Sequence, residues 1–312
     1  MTMKMLRTFG AAALLLTCCS IARAAVLVND TWLDGNDSEP AAPTYSESGV
    51  DSDGDLNLES VWFQGGDGTL DPVGAGGPLR GMFSDPNGGS SATWTTYFTP
   101  EATPVTLANA GDKLRVTWIF TPTNVNVANT SQNFRFAVVN SPSASRLAAN
   151  GSPGSAAYTG YSIFGNMSQT LGNSNPFQLR EHDNNGALLS GSGDWLALAN
   201  GATSGNPGYS SGTLYTLEFT FTRTAANELD VVATMTGANL DGDGSASISH
   251  LDSTPNGGSF SFDTFVIRPS GASTTAETFD TSLFRVEFIP IPEPASVALG
   301  LMGILLIAAR RR

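Results

Sequence analysis

The chain has 312 residues and a formal net charge of −13, and only 14% of its residues are charged. Its 34 glycines and 17 prolines predict short strands joined by turns rather than long helices. Between the two terminal segments no run of basic residues stands out. Because an acidic surface repels polyanions, nucleic acid is not a predicted partner.

The first segment has the order of a secretory signal peptide. Two basic residues precede an apolar stretch over 9–19, and Ala22 and Ala24 then place small residues at the −3 and −1 positions of a cleavage site. We predict that signal peptidase removes residues 1–24. The apolar stretch is too short to span a bilayer; an N-terminal core helix is the alternative interpretation.

Both cysteines, Cys18 and Cys19, lie in this predicted signal peptide. The mature chain is therefore predicted to have no disulfide, no thiolate metal site and no cysteine nucleophile. A lipoprotein anchored through Cys18 is a minor alternative, because Thr17 stands where a smaller residue is usual.

Two glycine-containing segments place acidic side chains at alternate positions. Asp51, Asp53 and Asp55 form the first segment, and Asp241 and Asp243 form the second. Such loops wrap around Ca²⁺, which takes about six to eight oxygen ligands. Neither is an EF-hand, because the position of its bidentate glutamate holds tryptophan in one and histidine in the other. Both are candidate Ca²⁺ sites; solvated acidic turns are the alternative.

Apolar and polar residues alternate in several runs between glycine, asparagine, proline and serine clusters. Period-two alternation with one apolar face is expected of strands in a two-sheet sandwich. No repeat indicates a solenoid or propeller. We predict an all-β fold, a single antiparallel two-sheet jelly-roll sandwich over 25–289. The alternating runs are 114–120, 134–139, 214–221, 229–235, 262–267 and 283–288.

Several aromatic residues are candidates for stacking on sugar rings, whose C–H faces suit flat apolar platforms. Tyr158, Tyr161 and Trp195 border loops rich in glycine, serine and asparagine, and they are the predicted glycan-contact residues. Trp118 lies in a regular alternating run and is predicted to belong to the core.

Glu181-His182-Asp183 is the one cluster of acid, base and neighbouring carboxylate in the sequence. It resembles in part the Glu-x-Asp-x-x-Glu pattern of glycosidases with the concanavalin-like fold, which need two carboxylates for hydrolysis. The third position is Gly186, and 184–186 has the composition of a hairpin turn. We predict no catalytic residues and no enzyme activity.

The chain ends in three consecutive elements: a Pro-Glu-Pro box at 292–294, an apolar run over 295–309 and a terminal basic cluster. This order resembles the PEP-CTERM sorting signal of exported Gram-negative envelope proteins, and 290–312 is identified as such a signal. The residues that match the motif are Pro292, Glu293, Pro294, Arg310, Arg311 and Arg312.

The resemblance implies an exosortase partner in the inner membrane that cuts near the box, in organisms that make extracellular polysaccharide. The apolar run over 295–309 is predicted to be a short transmembrane helix with its arginines on the cytoplasmic side. At 15 residues it spans about 22 Å, short of the roughly 30 Å hydrocarbon core, which favours transient anchoring. A plain single-span anchor is the alternative.

Other segments resemble the concanavalin A-like (LamG-like) jelly roll. They are 32–35 through 58–63, 94–98, 111–114, 177–181 and the phenylalanines at 262 and 279. The resemblance implies the fold rather than an activity.

Three functions are compatible with the sequence. The first is an exported, non-catalytic protein of the cell envelope or extracellular matrix that associates with polysaccharide, with Ca²⁺ as a candidate cofactor. The second is a glycan-active hydrolase or lyase, which requires a second acid facing Glu181. The third is a structural surface protein without a ligand. We predict the first.

Overall fold

The structure is a computed structural model that describes residues 24–258 and 260–291. Within these ranges, no helix is long and apolar enough to cross a membrane. The predicted transmembrane run over 295–309 lies outside the described residues, as does the predicted signal peptide before Ala24. The other predicted residues outside them are Ala22, Pro292, Glu293, Pro294, Arg310, Arg311 and Arg312.

The described residues form seventeen strands and three short 3-10 helices. The strands are β1 (Ala25–Asp30), β2 (Trp62–Gly66), β3 (Thr69–Pro72), β4 (Leu79–Met82), β5 (Ala92–Tyr97), β6 (Val105–Thr106), β7 (Lys113–Thr123), β8 (Phe134–Asn140), β9 (Thr159–Gly165), β10 (Phe177–His182), β11 (Trp195–Asn200), β12 (Tyr215–Ala225), β13 (Glu228–Thr236), β14 (Ser245–Asp252), β15 (Ser261–Phe262), β16 (Thr264–Pro269) and β17 (Thr278–Ile289). The helices are Ser143–Ser145, Leu240–Gly242 and Asn256–Gly258.

Two large sheets are stacked face to face. The first has eight strands in the order β14-β13-β12-β7-β17-β4-β3, with β1 also paired to β17. The second has seven strands in the order β11-β10-β9-β8-β16-β5-β2, and β6 pairs separately with β15. Every strand pair is antiparallel. The predicted all-β, antiparallel two-sheet sandwich is confirmed.

Aromatic side chains from both sheets fill the space between them. On β7 every second residue is buried, as the alternation in the sequence predicts. Trp118 stacks on Phe120 with ring centroids 4.0 Å apart, and Phe134 of the opposite sheet stacks on Phe279 at 5.7 Å. Trp118 is therefore a core residue, and its indole N–H donates to the hydroxyl of Thr281.

Irregular segments cover part of the outer face of the seven-stranded sheet, while Arg135, Arg180 and Arg268 on that face are only half-buried. Tyr158, Leu188, Leu189 and Trp195 pack with outward-facing residues of the sheet in a second apolar cluster. The connection between β10 and β11 runs over 183–194, so the hairpin turn predicted at 184–186 is part of a longer loop.

A buried ion pair fixes another of these covering segments. Arg146, whose side chain is fully buried, lies 2.9 Å from a carboxylate oxygen of Asp263 at the start of β16. Its guanidinium also lies over the rings of Tyr45 and Tyr97. Because a buried charge is tolerated only when it is paired, this contact ties two loops to the sheet.

The chain between β1 and β2 contains no strand. The segment 32–35, which the concanavalin resemblance places among the first strands, is an irregular loop instead. Trp32 is fully buried at a backbone φ of 53°. The connection between β1 and β2 also contains Asp34, Asp55 and Glu59.

We expect the substitution Gly81→Ala to destabilise the sandwich. An added Cβ at Gly81 on β4 would lie 2.2 Å from the indole of Trp94, which is buried on the opposite sheet. Overpacking of this kind costs about 1–3 kcal/mol, measurable by urea unfolding. Gly193→Ala is the matched control, since nothing lies within 4 Å of its added Cβ. Equal stability of the two variants would contradict the described packing.

Candidate functional site

Three carboxylates converge in the irregular segment between β1 and β2. Asp34, Asp55 and Glu59 each offer one oxygen, and these oxygens lie within 4.8 Å of one another. The backbone turns sharply beside Asp55, because Gly54 and Leu56 both have left-handed conformations, with φ of 86° and 74°. The chain thus folds back so that residues 25 positions apart meet.

Two oxygens of this cluster are buried and lack hydrogen-bond partners. Oε1 of Glu59 is one, on a side chain that is only 4% exposed, and Oδ2 of Asp55 is the other. The remaining Asp55 oxygen accepts from the backbone N–H of Asn57. A buried carboxylate oxygen without a donor is costly, and both atoms belong to residues of the converging cluster.

Burial raises the pKa values of two carboxyl groups in this region, Glu59 and Asp30. Desolvation, followed by the charges of Asp30 and Asp34, raises the pKa of Glu59 to about 8. Asp30 accepts hydrogen bonds from Trp32 and Asn57, and burial raises its pKa to about 7. No basic side chain of the described segments forms an ion pair with Asp34, Asp55 or Glu59.

Asp51 and Asp53 lie in a second acidic group, together with the buried Glu47. Here the loop's own donors occupy the oxygens. Glu47 accepts from the backbone N–H groups of Ser52 and Glu59. Asp51 accepts from Gly54 and Leu56, and Asp53 accepts from Asp55. The three aspartates predicted from the sequence therefore belong to two different groups: Asp51 and Asp53 to one, and Asp55 to the other. Of these two groups, only the one that contains Asp55 has buried oxygens without hydrogen-bond partners.

In the second predicted Ca²⁺ segment, Asp241 and Asp243 accept hydrogen bonds from neighbouring groups of the protein. Asp241 accepts hydrogen bonds from the backbone N–H of Thr203 and from the side chain of Asn206. Asp243 accepts from the N–H of Ser245 at the start of β14. Both side chains hold turns together, and neither belongs to a group of three or more acids within the described residues.

The predicted glycan platforms are inside the domain, which corrects the sequence analysis. Tyr158, Tyr161 and Trp195 are each no more than 3% exposed. Tyr161 faces the core, while Tyr158 and Trp195 pack edge-on against the buried ring of His182. The polar loops beside these residues fold over them, so their rings are not available for stacking on sugars.

Glu181 meets a second acid, but not its sequence neighbour Asp183. Asp252, at the end of β14 in the opposite sheet, accepts a hydrogen bond from the hydroxyl of Tyr161 at 2.6 Å and lies beside Glu181. Glu181 accepts from the backbone N–H of Asn256. Burial, with Asp252 as the main neighbouring charge, raises the pKa of Glu181 to about 7.

This carboxyl pair is poorly placed for glycoside hydrolysis. Glu181 is 7% exposed and Asp252 is 5% exposed, so a sugar chain cannot reach between them. Their neighbour His182 is fully buried, and its Nδ1 contacts the carbonyl oxygen of Tyr158. Burial lowers the pKa of His182 and favours the neutral ring. The arrangement links the two sheets rather than forming a cleft.

Sequence reasoning did not identify Asp34, Glu59, Glu47 or Asp252. A signal was present for Glu59, because it stands between Leu58 and the apolar run at 61–63 that leads into a strand, and a glutamate buried there must be paired or liganded. Asp34 and Asp252 had no such signal, since only the folding of loops brings them to their partners.

No family model and no curated protein matches the chain. Among solved structures, peanut lectin in complex with a 9-residue peptide is similar at 12% identity and a TM-score of 0.44, covering 87% of this chain and all of that one. Arcelin-5, a lectin-like defence protein from Phaseolus vulgaris, has 13% identity and a TM-score of 0.41, covering 74% and 93%. A carbohydrate esterase of the Shiga toxin-encoding bacteriophage phi24B has 12% identity and a TM-score of 0.41, covering 86% and 100%. These similarities are too low to assign an activity or a ligand.

We expect the Glu181–Asp252 contact to make stability depend on pH. Native Glu181 keeps its proton up to about pH 7, whereas an unfolded glutamate loses it near 4.5. The native state is therefore favoured below this range, and the contribution disappears as the pH rises through it. Melting temperatures measured from about pH 5 to pH 8 should fall less steeply for Glu181→Gln than for the native chain.

The control is Glu218→Gln, which removes a half-exposed carboxylate from the other sheet. This variant should keep the native slope. Parallel slopes for the native chain and Glu181→Gln would show that Glu181 ionises normally in the folded protein.

Proposed function

We propose that the protein is an exported, non-catalytic β-sandwich protein of the cell envelope or extracellular matrix, which binds Ca²⁺ and associates with polysaccharide. The observation that carries the proposal is the convergence of Asp34, Asp55 and Glu59 with two buried oxygens that lack partners. We also propose that the sandwich is a concanavalin-like jelly roll.

Calcium is the cation that suits this donor set. All three ligands are carboxylates, which are the hard oxygen donors that Ca²⁺ prefers, and the group contains neither histidine nor cysteine. Sites of this kind in extracellular modules bind with a Kd of about 10⁻⁴–10⁻³ M. An exported domain meets such concentrations, so the proposed site and the proposed location support each other.

Export and sorting rest on the two ends of the sequence. The signal peptide with cleavage after Ala24, and the Pro-Glu-Pro box at 292–294 with its apolar run and arginines, are the support for processing by signal peptidase and an exosortase. In this proposal the inner membrane holds the chain only transiently. Polysaccharide association follows from the same resemblance, because this sorting system occurs in organisms that make extracellular polysaccharide.

The hydrolase alternative is less well supported. It requires two accessible carboxylates, and the acid that faces Glu181, Asp252, is buried with it between the sheets. Among the described residues, the acids of the proposed calcium site form a group that contains no histidine or cysteine. A non-catalytic role agrees better with both arrangements.

We expect calcium to stabilise the native chain through Glu59. At a Ca²⁺ concentration about ten times the Kd, the expected gain in the free energy of unfolding is about 1.4 kcal/mol, and a chelator should abolish it. Glu59→Gln should lose this gain but stay folded without calcium, because the neutral amide needs no counter-ion. Thermal unfolding with calcium, with magnesium and with chelator measures the effect.

Glu218→Gln and Asp241→Asn are the controls, since each removes one carboxylate outside the proposed site. Both should keep the calcium-dependent gain. The calcium proposal fails if the native chain shows no gain, or if Glu59→Gln shows the same gain as the native chain.

A further inference from the structure

One row of side chains crosses the outer face of the seven-stranded sheet. In the strand register, Phe164 of β9 lies between Gln178 of β10 and Arg135 of β8. Arg135 in turn lies directly opposite Arg268 of β16. Arg180 is two positions beyond Gln178 on β10, so it projects from the same face. Three arginines thus occupy one face of an otherwise acidic protein.

These arginines have no carboxylate partner among the described residues. Their hydrogen bonds go to neutral acceptors: Arg135 donates to two backbone carbonyl oxygens, Arg180 to one carbonyl and one amide oxygen, and Arg268 to a serine hydroxyl. By contrast, four arginines elsewhere in the domain lie within 4.0 Å of an aspartate or glutamate: Arg80, Arg115, Arg146 and Arg285.

Such an arrangement is unfavourable without a ligand. Like charges directly opposite each other on neighbouring strands are destabilising. Burial, followed by the charges of Arg268 and Arg180, lowers the pKa of Arg135 to about 10. The acidic majority of the chain could have supplied a partner for these arginines but does not.

A flat ring and two polar atoms without partners lie among the arginines. The guanidinium groups of Arg135 and Arg180 lie over the ring of Phe164, with their central carbons 4.5 and 4.6 Å from its centroid. Nε of Arg180 is buried without a partner. Ser162, opposite Arg180 in the register, is fully buried, and its hydroxyl also lacks a partner.

A carboxylate matches this surface. Its two oxygens accept parallel hydrogen bonds from one guanidinium. Arg268 bonds only to the hydroxyl of Ser270 through Nη1, so its other donors remain for such a pair of bonds. The amide side chains of Gln178 and Asn200, which already bond to each other, extend the row with groups that suit sugar hydroxyls.

We propose that the outer face of the seven-stranded sheet binds the carboxylate groups of an acidic, uronate-bearing polysaccharide through Arg135, Arg180 and Arg268. This inference rests on the proposed function and specifies its ligand class. The three arginines are each half-buried rather than buried, so isolated carboxylates spaced along a sugar chain can contact them, whereas the continuous charge of a nucleic acid would meet the surrounding acidic surface. The three arginines are far apart in the sequence, so no basic run indicates the cluster.

The test measures retention of the purified chain on immobilised polygalacturonate and on its fully methyl-esterified form, with chelator present to prevent calcium bridging. The native chain should bind the acid form, with binding that weakens as salt increases, and should not bind the ester. Arg268→Gln should weaken binding by about tenfold or more, as expected for the loss of a charge-assisted hydrogen bond. Arg115→Gln on the other sheet removes the same charge from an existing ion pair and should bind as the native chain does.

Thermal stability separates binding from folding. Arg268→Gln removes a like-charge contact and only a 3.3 Å hydrogen bond to Ser270, so its melting temperature should equal or exceed the native value.

Equal retention on the acid and ester forms, or unchanged binding of Arg268→Gln, would overturn this inference and leave the proposed polysaccharide association standing. Equal retention on single-stranded DNA would overturn it in favour of a general polyanion site. No retention on any polysaccharide, with or without calcium, would overturn polysaccharide association as well.

Discussion

The aromatic layer between the two sheets determines which side chains of each strand face the core and which face outward. In a strand, neighbouring side chains face opposite sides, so burying Phe134 and Phe136 in the core sends Arg135 to the outer face of the seven-stranded sheet. Burying Ile267 does the same for Arg268 on the adjacent strand. A shift of one residue in either strand would place a guanidinium among the phenylalanines. The pairing of the two arginines is therefore enforced by the core.

The same layer explains why the acidic loop lies where it does. Trp32 and Trp62, at the two ends of the segment between β1 and β2, are buried and lie 6.4 Å apart between ring centroids. These anchors leave the intervening chain irregular and hold it against the sandwich, which carries Glu59 into the interior while Asp34 stays exposed. Buried carboxylates are costly to a fold. Among the described residues, Asp34, Asp55 and Glu59 of this segment form no ion pair with a basic side chain.

The sequence predicted the fold well where its pattern was regular. Runs such as 114–120 and 229–235 alternate cleanly, and both lie within strands of the sandwich. Prediction failed where the outcome depended on contacts between distant residues. Tyr158 and Trp195 border polar loops in the sequence, yet those loops fold over the sheet and bury them. Asp55 was identified as a candidate ligand, but its partners lie up to 21 positions away and could not be found from a short motif.

The central claim is that a calcium ion lies between Asp34, Asp55 and Glu59. A crystal structure determined from crystals grown in calcium, with a second crystal soaked in a lanthanide for its anomalous signal, tests it most directly. We expect one strong peak bounded by these three carboxylates, with Oε1 of Glu59 and Oδ2 of Asp55 among the ligands. A peak elsewhere, or none while Glu59 bonds only to protein or water, would contradict it.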